Sequence, residues 1–167
     1  MFYYSDTLRE IPFSIYLSTT STNQPASYMF SGCSNLIEIP MVYSLKVADI
    51  TSMFSTCASI SSFPENFAKD WDWSYLETAT SAYTGSMSNL FTNCMKLREI
   101  PQELLIHGNP FWTYSYPLTN SGFNNCYGLE KVENVFIPYK STTLTSAYSN
   151  AFGSMVKNCC RLKKLTL

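Results

Sequence analysis

The 167-residue sequence predicts an α/β repeat fold: a single solenoid domain, residues 1–167, of about six irregular coils built from short strands, short helical turns and long connectors. Two observations lead there. One short apolar pattern, Phe-x-x-Cys-x-x-Leu-x-x-Ile-Pro, returns from one end of the chain to the other, at successive spacings of 28, 24, 37, 32 and 33 residues, the range of one coil of a solenoid. The composition is 46% hydrophobic and only 14% charged, enough to bury a core, although no single copy can cover its own apolar side without a neighbour.

Taken in order, the repeat cores are residues 2–12, 30–40, 54–64, 91–101, 123–133 and 156–166. The clearest copies are Phe30, Cys33, Leu36, Ile39, Pro40 and Phe91, Cys94, Leu97, Ile100, Pro101. Phe54, Cys57, Ile60, Phe63, Pro64 is a third with conservative exchanges, and Phe123, Cys126, Leu129, Val132 a fourth without the proline. At the two ends, Phe2, Ser5, Leu8, Ile11, Pro12 has Ser for Cys, and Val156, Cys159, Leu162, Leu165 has Val for Phe. The connectors between copies vary in length where the motif does not.

Within a copy, stretches such as Ser27-Tyr28-Met29-Phe30 and Ser88-Asn89-Leu90-Phe91 predict a short helical turn opened by Ser and anchored by Phe. Cys follows one turn later on the same side. The Leu-x-x-Ile-Pro stretch predicts a short extended segment, closed by a proline that cannot donate to a ladder. Stacking the copies predicts ladders of Phe, Cys and Leu/Ile along the chain.

The runs Met29-Phe30-Ser31-Gly32-Cys33-Ser34-Asn35-Leu36-Ile37-Glu38-Ile39-Pro40 and Leu90-Phe91-Thr92-Asn93-Cys94-Met95-Lys96-Leu97-Arg98-Glu99-Ile100-Pro101 resemble the repeat of the BspA-type leucine-rich repeat proteins. The connector Val47-Ala48-Asp49-Ile50-Thr51-Ser52-Met53-Phe54 resembles that family's run into its next turn. The resemblance touches all six copies and leaves out the three long connectors; the irregular period departs from the family's tighter repeat. It implies a leucine-rich-repeat-like solenoid, and a binding or adhesive surface protein rather than an enzyme, of the kind found on bacteria and phages.

The insertions carry aromatic clusters. Asp70-Trp71-Asp72-Trp73-Ser74-Tyr75 puts Trp71, Trp73 and Tyr75 on one side if extended, and Trp112, Tyr114 and Tyr116 alternate in the same way after Phe111. Aromatic platforms beside Asp72 and the neighbouring Ser and Asn suit sugar stacking or a protein contact. These eight residues are the candidate partner-binding set; the same alternation also describes a half-buried strand. A second candidate surface is the strip Arg9/Glu10, Ile37/Glu38, Ser61/Ser62, Arg98/Glu99, Glu130/Lys131 and Lys163/Lys164, one pair per coil, whose mixed charge suits a protein contact.

Chemistry-bearing residues are sparse. Cys33, Cys57, Cys94, Cys126 and Cys159 recur once per copy, which predicts a ladder of free thiols, although coils about 4.8 Å apart also fall within disulfide range. The single histidine, His107, stands in a turn sequence with no paired nucleophile, and Asp70 and Asp72 form the only close carboxylate pair. No catalytic residue, metal site or cofactor is expected. Eleven Lys and Arg against twelve Asp and Glu leave a net charge of −1, no footprint for nucleic acid, and no apolar run is long enough for a membrane span.

The expected function is therefore non-enzymatic recognition or adhesion, as a module of a bacterial surface protein that binds a protein or glycan, placed extracellularly or at the cell surface. The alternative is a structural subunit of a large assembly such as a phage tail or virion, contacting neighbouring subunits. The copies begin at residue 2 and reach the last residues with no polar capping unit, which predicts a longer chain or ends that dock on partners. The chain has no Asn-x-Ser/Thr sequon, which fits a bacterial or phage source.

Overall fold

The computed structural model describes residues 2–17, 24–78, 87–107, 121–135 and 155–166. In them the six motif copies lie one upon another, equivalent residue over equivalent residue. Phe2, Phe30, Phe54, Phe91 and Phe123 form a near-parallel column with ring centroids 5.6, 5.8, 5.7 and 6.0 Å apart and interplanar angles of 7°, 6°, 6° and 14°. Phe30, Phe54, Phe91 and Phe123 are fully buried, as are Leu36, Ile60, Leu97 and Leu129 in the parallel column beside them. Each ring pair adds about 0.5–1.5 kcal/mol to what the burial itself contributes.

The sequence predicted a helical turn around each Phe; the structure has a run of β-turns there instead. Their hydrogen bonds explain why. Amides of alternate residues turn inward, Met29 to Ala26, Ser31 to Tyr28 and Cys33 to Phe30, while those between them reach the next coil, Tyr28 to Thr51, Phe30 to Met53 and Gly32 to Ser55. The alternation repeats around Phe54 and is continued from Phe91 and Phe123 by bonds to Gly122, Asn124, Met155 and Lys157. An α-helix would spend its amides along its own axis and leave the coils joined through side chains alone.

This backbone requires a left-handed residue two before and two after each Phe. Tyr28, Ser52, Asn89 and Ser121 hold the first position with φ of 59°, 54°, 55° and 55°. Tyr4, Gly32, Thr56, Asn93, Asn125 and Asn158 hold the second. Asparagine tolerates this region better than most side chains, and here it gains a further bond. The Asn125 amide donates to Asn93 Oδ1 at 2.7 Å and that of Asn158 to Asn125 Oδ1 at 2.7 Å, with Asn93 reaching Thr56 Oγ1 at 3.4 Å. Gly32 is required for a second reason: a Cβ there would lie 2.7 Å from the Tyr4 ring.

Of the predicted Leu-x-x-Ile-Pro strands, only those of the last two copies form among the described residues, β5 (Lys131–Val132) paired in parallel with β6 (Lys164–Leu165). The other strands lie in the connectors after the first two copies, where β1 (Ile15–Tyr16) pairs with β3 (Val42–Tyr43) and β2 (Gln24–Pro25) with β4 (Val47–Asp49), also in parallel. At the seventh residue after the first motif position the later coil donates to the earlier one in four of the copies, Ile37 to Arg9, Arg98 to Ser61, Glu130 to Arg98 and Lys163 to Glu130. Among the described residues two short helices lie in the connectors, α1 (Ser74–Thr78) and α2 (Glu103–Ile106). None of the helices among the described residues is long and apolar enough to cross a membrane.

The connector of the third copy joins the stack rather than looping away. Val47 donates to the Asp72 carbonyl at 2.8 Å and Asp72 to that of Leu45 at 2.9 Å, so Asp72 lies beside Lys46 in a parallel bridge. That bridge turns Trp71 and Trp73, its neighbours on either side, into the core.

Candidate functional site

The candidate aromatic set divides on inspection. Trp71 is 5% exposed and Trp73 6%. The Trp71 indole donates to the Val42 carbonyl at 2.8 Å and continues an aromatic chain that runs from Phe54 through Phe67, Trp71 and Trp73 to His107. These indoles pack, and neither presents an open ring for a ligand. Asp72 lies at the surface, where Oδ1 accepts the Ser74 amide at 3.0 Å and the Ser74 hydroxyl at 2.5 Å and so fixes the start of α1. Those two bonds hold its carboxyl below the usual carboxylate range. Tyr75 is exposed on α1. Phe111, Trp112, Tyr114 and Tyr116 lie outside the described residues.

His107 closes the C-terminal end of α2 and ties the two connector helices together. Nδ1 lies 2.5 Å from Glu77 Oε1, Nε2 is 3.6 Å from Glu103 Oε2, and the ring stacks on Trp73 at 4.4 Å and 10°. The two carboxylates meet opposite edges of the imidazole, an arrangement that clamps the ring and converges on no common ligand position.

The thiols form the column expected of them. Cys33, Cys57, Cys94, Cys126 and Cys159 each donate to the carbonyl of the preceding copy's Phe at 2.9–3.0 Å, and all are free. Burial pushes the Cys126 thiol up to about 12 and raises those of Cys57 and Cys94 as well. Such thiols hold no thiolate at neutral pH and serve as packing.

A concavity among the described residues lies elsewhere, beside the charged strip. It is an open depression of about 680 Å³, bordered by Ser61 and Ser62, by Met95, Lys96, Arg98 and Glu99, by Tyr127 and Gly128, and by Arg161. Repeat geometry creates it. The fifth residue after each Phe forms a column in which Gly128 stands between Lys96 on one coil and Arg161 on the other side, so a missing side chain separates two cations about 10 Å apart along the stack. Gly128 donates to the Met95 carbonyl at 2.9 Å, and a Cβ there would lie 3.0 Å from that oxygen and 3.1 Å from the Leu97 carbonyl oxygen. Glycine fits this close approach without displacing either oxygen, and glycine leaves the gap.

The charges around the gap are unequally matched. Glu130 bonds Lys163 at 3.0 Å, and Lys163, Arg98 and Arg161 together hold its carboxyl below the usual range. Glu133 pairs with both Lys131 and Lys164 and is likewise held down. Glu99 lies in the field of Lys131. Lys96, Arg98 and Arg161 make no ion pair with any described residue. The cleft therefore carries an excess of positive charge, beside Tyr127 and Met95, 42% and 45% exposed.

Arg98 and Glu99 belong to the strip that the sequence marked out; Lys96, Tyr127, Gly128 and Arg161 were missed. Their signal was the alignment of copies at the fourth and fifth residues after Phe, where Met95, Tyr127 and Cys160 and then Lys96, Gly128 and Arg161 fall in register. No family model, no curated protein and no solved structure matches this chain.

Proposed function

We propose that the chain is a non-enzymatic recognition module, a leucine-rich-repeat-like solenoid like the BspA-type repeats its motif resembles, which binds a protein or glycan partner at a cell surface. The observation that supports this reading best is the cleft over Gly128. It combines three cations that have no ion-pair partner among the described residues with an exposed ring on a base of stacked, hydrogen-bonded coils, so that binding has to order side chains but not the backbone beneath them. The mixed-charge strip beside it, with its Lys–Glu pairs, provides a polar rim.

The test is a binding screen of the purified chain against arrayed surface glycans and extracellular proteins, run beside the double variant Arg98→Glu, Arg161→Glu. The reading expects saturable binding by the native chain that the variant loses while keeping its melting temperature. Equal binding by both, or none by either, would contradict it.

A further inference from the structure

We propose that the cleft over Gly128 binds a carboxylated sugar, a uronic-acid unit of an acidic glycan. The inference rests on the recognition reading above and names the ligand chemistry of the same site.

Charge comes first. Three cations border one concavity without an ion-pair partner among the described residues, while its nearest carboxylates, Glu130 and Glu99, already face Lys163 and Lys131. An anionic ligand completes this arrangement. Arg98 and Arg161 border the same concavity, and both add, after the larger effect of Lys163, to the lowering of the Glu130 carboxyl. Guanidinium forks match a carboxylate bidentately, which a lysine ammonium does not.

Shape and polarity then separate a sugar acid from an acidic peptide. A peptide bound as an added strand needs free backbone donors and acceptors. Where the coils meet beneath the cleft, the Gly128 amide is already engaged with Met95 and the Arg98 amide with Ser61, and the Arg98 carbonyl already accepts from Glu130, so the stacked edge there is occupied. Side chains supply the rest of the lining: the partly exposed ring of Tyr127, the Met95 thioether, and the hydroxyls of Ser61 and Ser62. A ring face for the apolar side of a pyranose, hydroxyls for its hydroxyls and guanidinium groups for its carboxylate together suit a sugar acid.

Calorimetric titration of the whole chain with tetragalacturonate tests this, with neutral tetragalactose and tetraglutamate as matched probes. Tetragalacturonate is expected to bind, with neutral tetragalactose weaker by about tenfold or more. Arg98→Gln with Arg161→Gln should weaken tetragalacturonate by about the same factor. Tyr127→Ala should weaken it by about fivefold and leave tetraglutamate unchanged, consistent with loss of a ring contact of roughly 1 kcal/mol. All three side chains are at the surface, and circular dichroism checks that the variants are folded. Tetraglutamate binding as tightly as tetragalacturonate, with Tyr127→Ala without effect, overturns the sugar assignment and leaves the recognition reading standing. Failure of both charged probes, together with a negative surface-binding screen, removes both.

Discussion

The Cys94 thiol donates at 3.0 Å to the carbonyl of Phe54 one coil earlier, on an oxygen that also accepts the Cys57 amide at 3.2 Å. The same three-residue relation ties Cys57 to Phe30 and Cys33, and Cys126 to Phe91 and Cys94. Each carbonyl thus uses one lone pair to close its own turn and the other to receive the next coil. A small side chain with a weak donor is what the position needs. Cys94→Ala keeps the turn bond but removes the donor and leaves a small void. It is expected to cost about 1–2 kcal/mol, read from the midpoint of denaturant unfolding.

The buried thiols also set an alkaline limit. Their folded values lie above the ordinary 9.0, with that of Cys126 at about 12, so above pH 9 the unfolded chain loses protons that the folded chain keeps. Their contribution to stability is whole below pH 9 and falls as pH rises toward 12. Denaturant midpoints measured between pH 8 and 11 should decline on this account. At pH 8 in the native state a maleimide should label Cys160, the exposed thiol, and leave Cys57, Cys94 and Cys126 untouched until the chain unfolds.

The phenylalanine column should be graded by burial. Phe54 stacks on Phe30 and Phe91 and meets Phe63 and Phe67 edge on, so Phe54→Ala is expected to cost about 3–5 kcal/mol. Phe2, half-buried with Phe30 as its only ring neighbour among the described residues, should cost less when replaced in the same way. Thermal unfolding of the two variants checks the order.

Trp71 and Trp73 distinguish packing from recognition. With its indole buried and hydrogen-bonded to Val42, Trp71→Ala is expected to destabilise by about 3–5 kcal/mol. Trp71→Phe should lose less, retaining ring contacts with Phe67 and Trp73 but not the bond to Val42. Melting temperatures of both variants provide the comparison.

Gly128→Ala links the cleft to the fold. A Cβ there would press on two carbonyl oxygens of the neighbouring coil, and backbone held by stacking has little room to yield. A loss of about 1–3 kcal/mol is expected in denaturant unfolding.

What the sequence disclosed follows from its periodicities. Phe, Cys and Leu recur at fixed offsets, so their columns were legible from spacing alone, as was the column that carries Arg98, Glu130 and Lys163. The conformation around each Phe was not. Ser, Asn, Thr and Tyr alternate there between left-handed and ordinary backbone, and only the bonding between coils decides in favour of turns over helix. Trp71 and Trp73 were ambiguous for a related reason: alternation fixes that two rings share a side but not which side is covered. Asp72 resolves it by pairing with Lys46, 26 residues away. The cleft was hidden because it is an absence, the side chain Gly128 does not have, and becomes visible only when the coils are laid side by side.

The most direct test of the recognition account is residue-resolved amide shift mapping of the isotopically labelled chain during titration with the partner selected by the binding screen. The account expects perturbations centred on Met95, Lys96, Tyr127, Gly128 and Arg161, saturating together with a single dissociation constant. Saturable perturbations that leave these five amides unmoved and gather instead around Tyr16 and Tyr43, or around Tyr75, would contradict it.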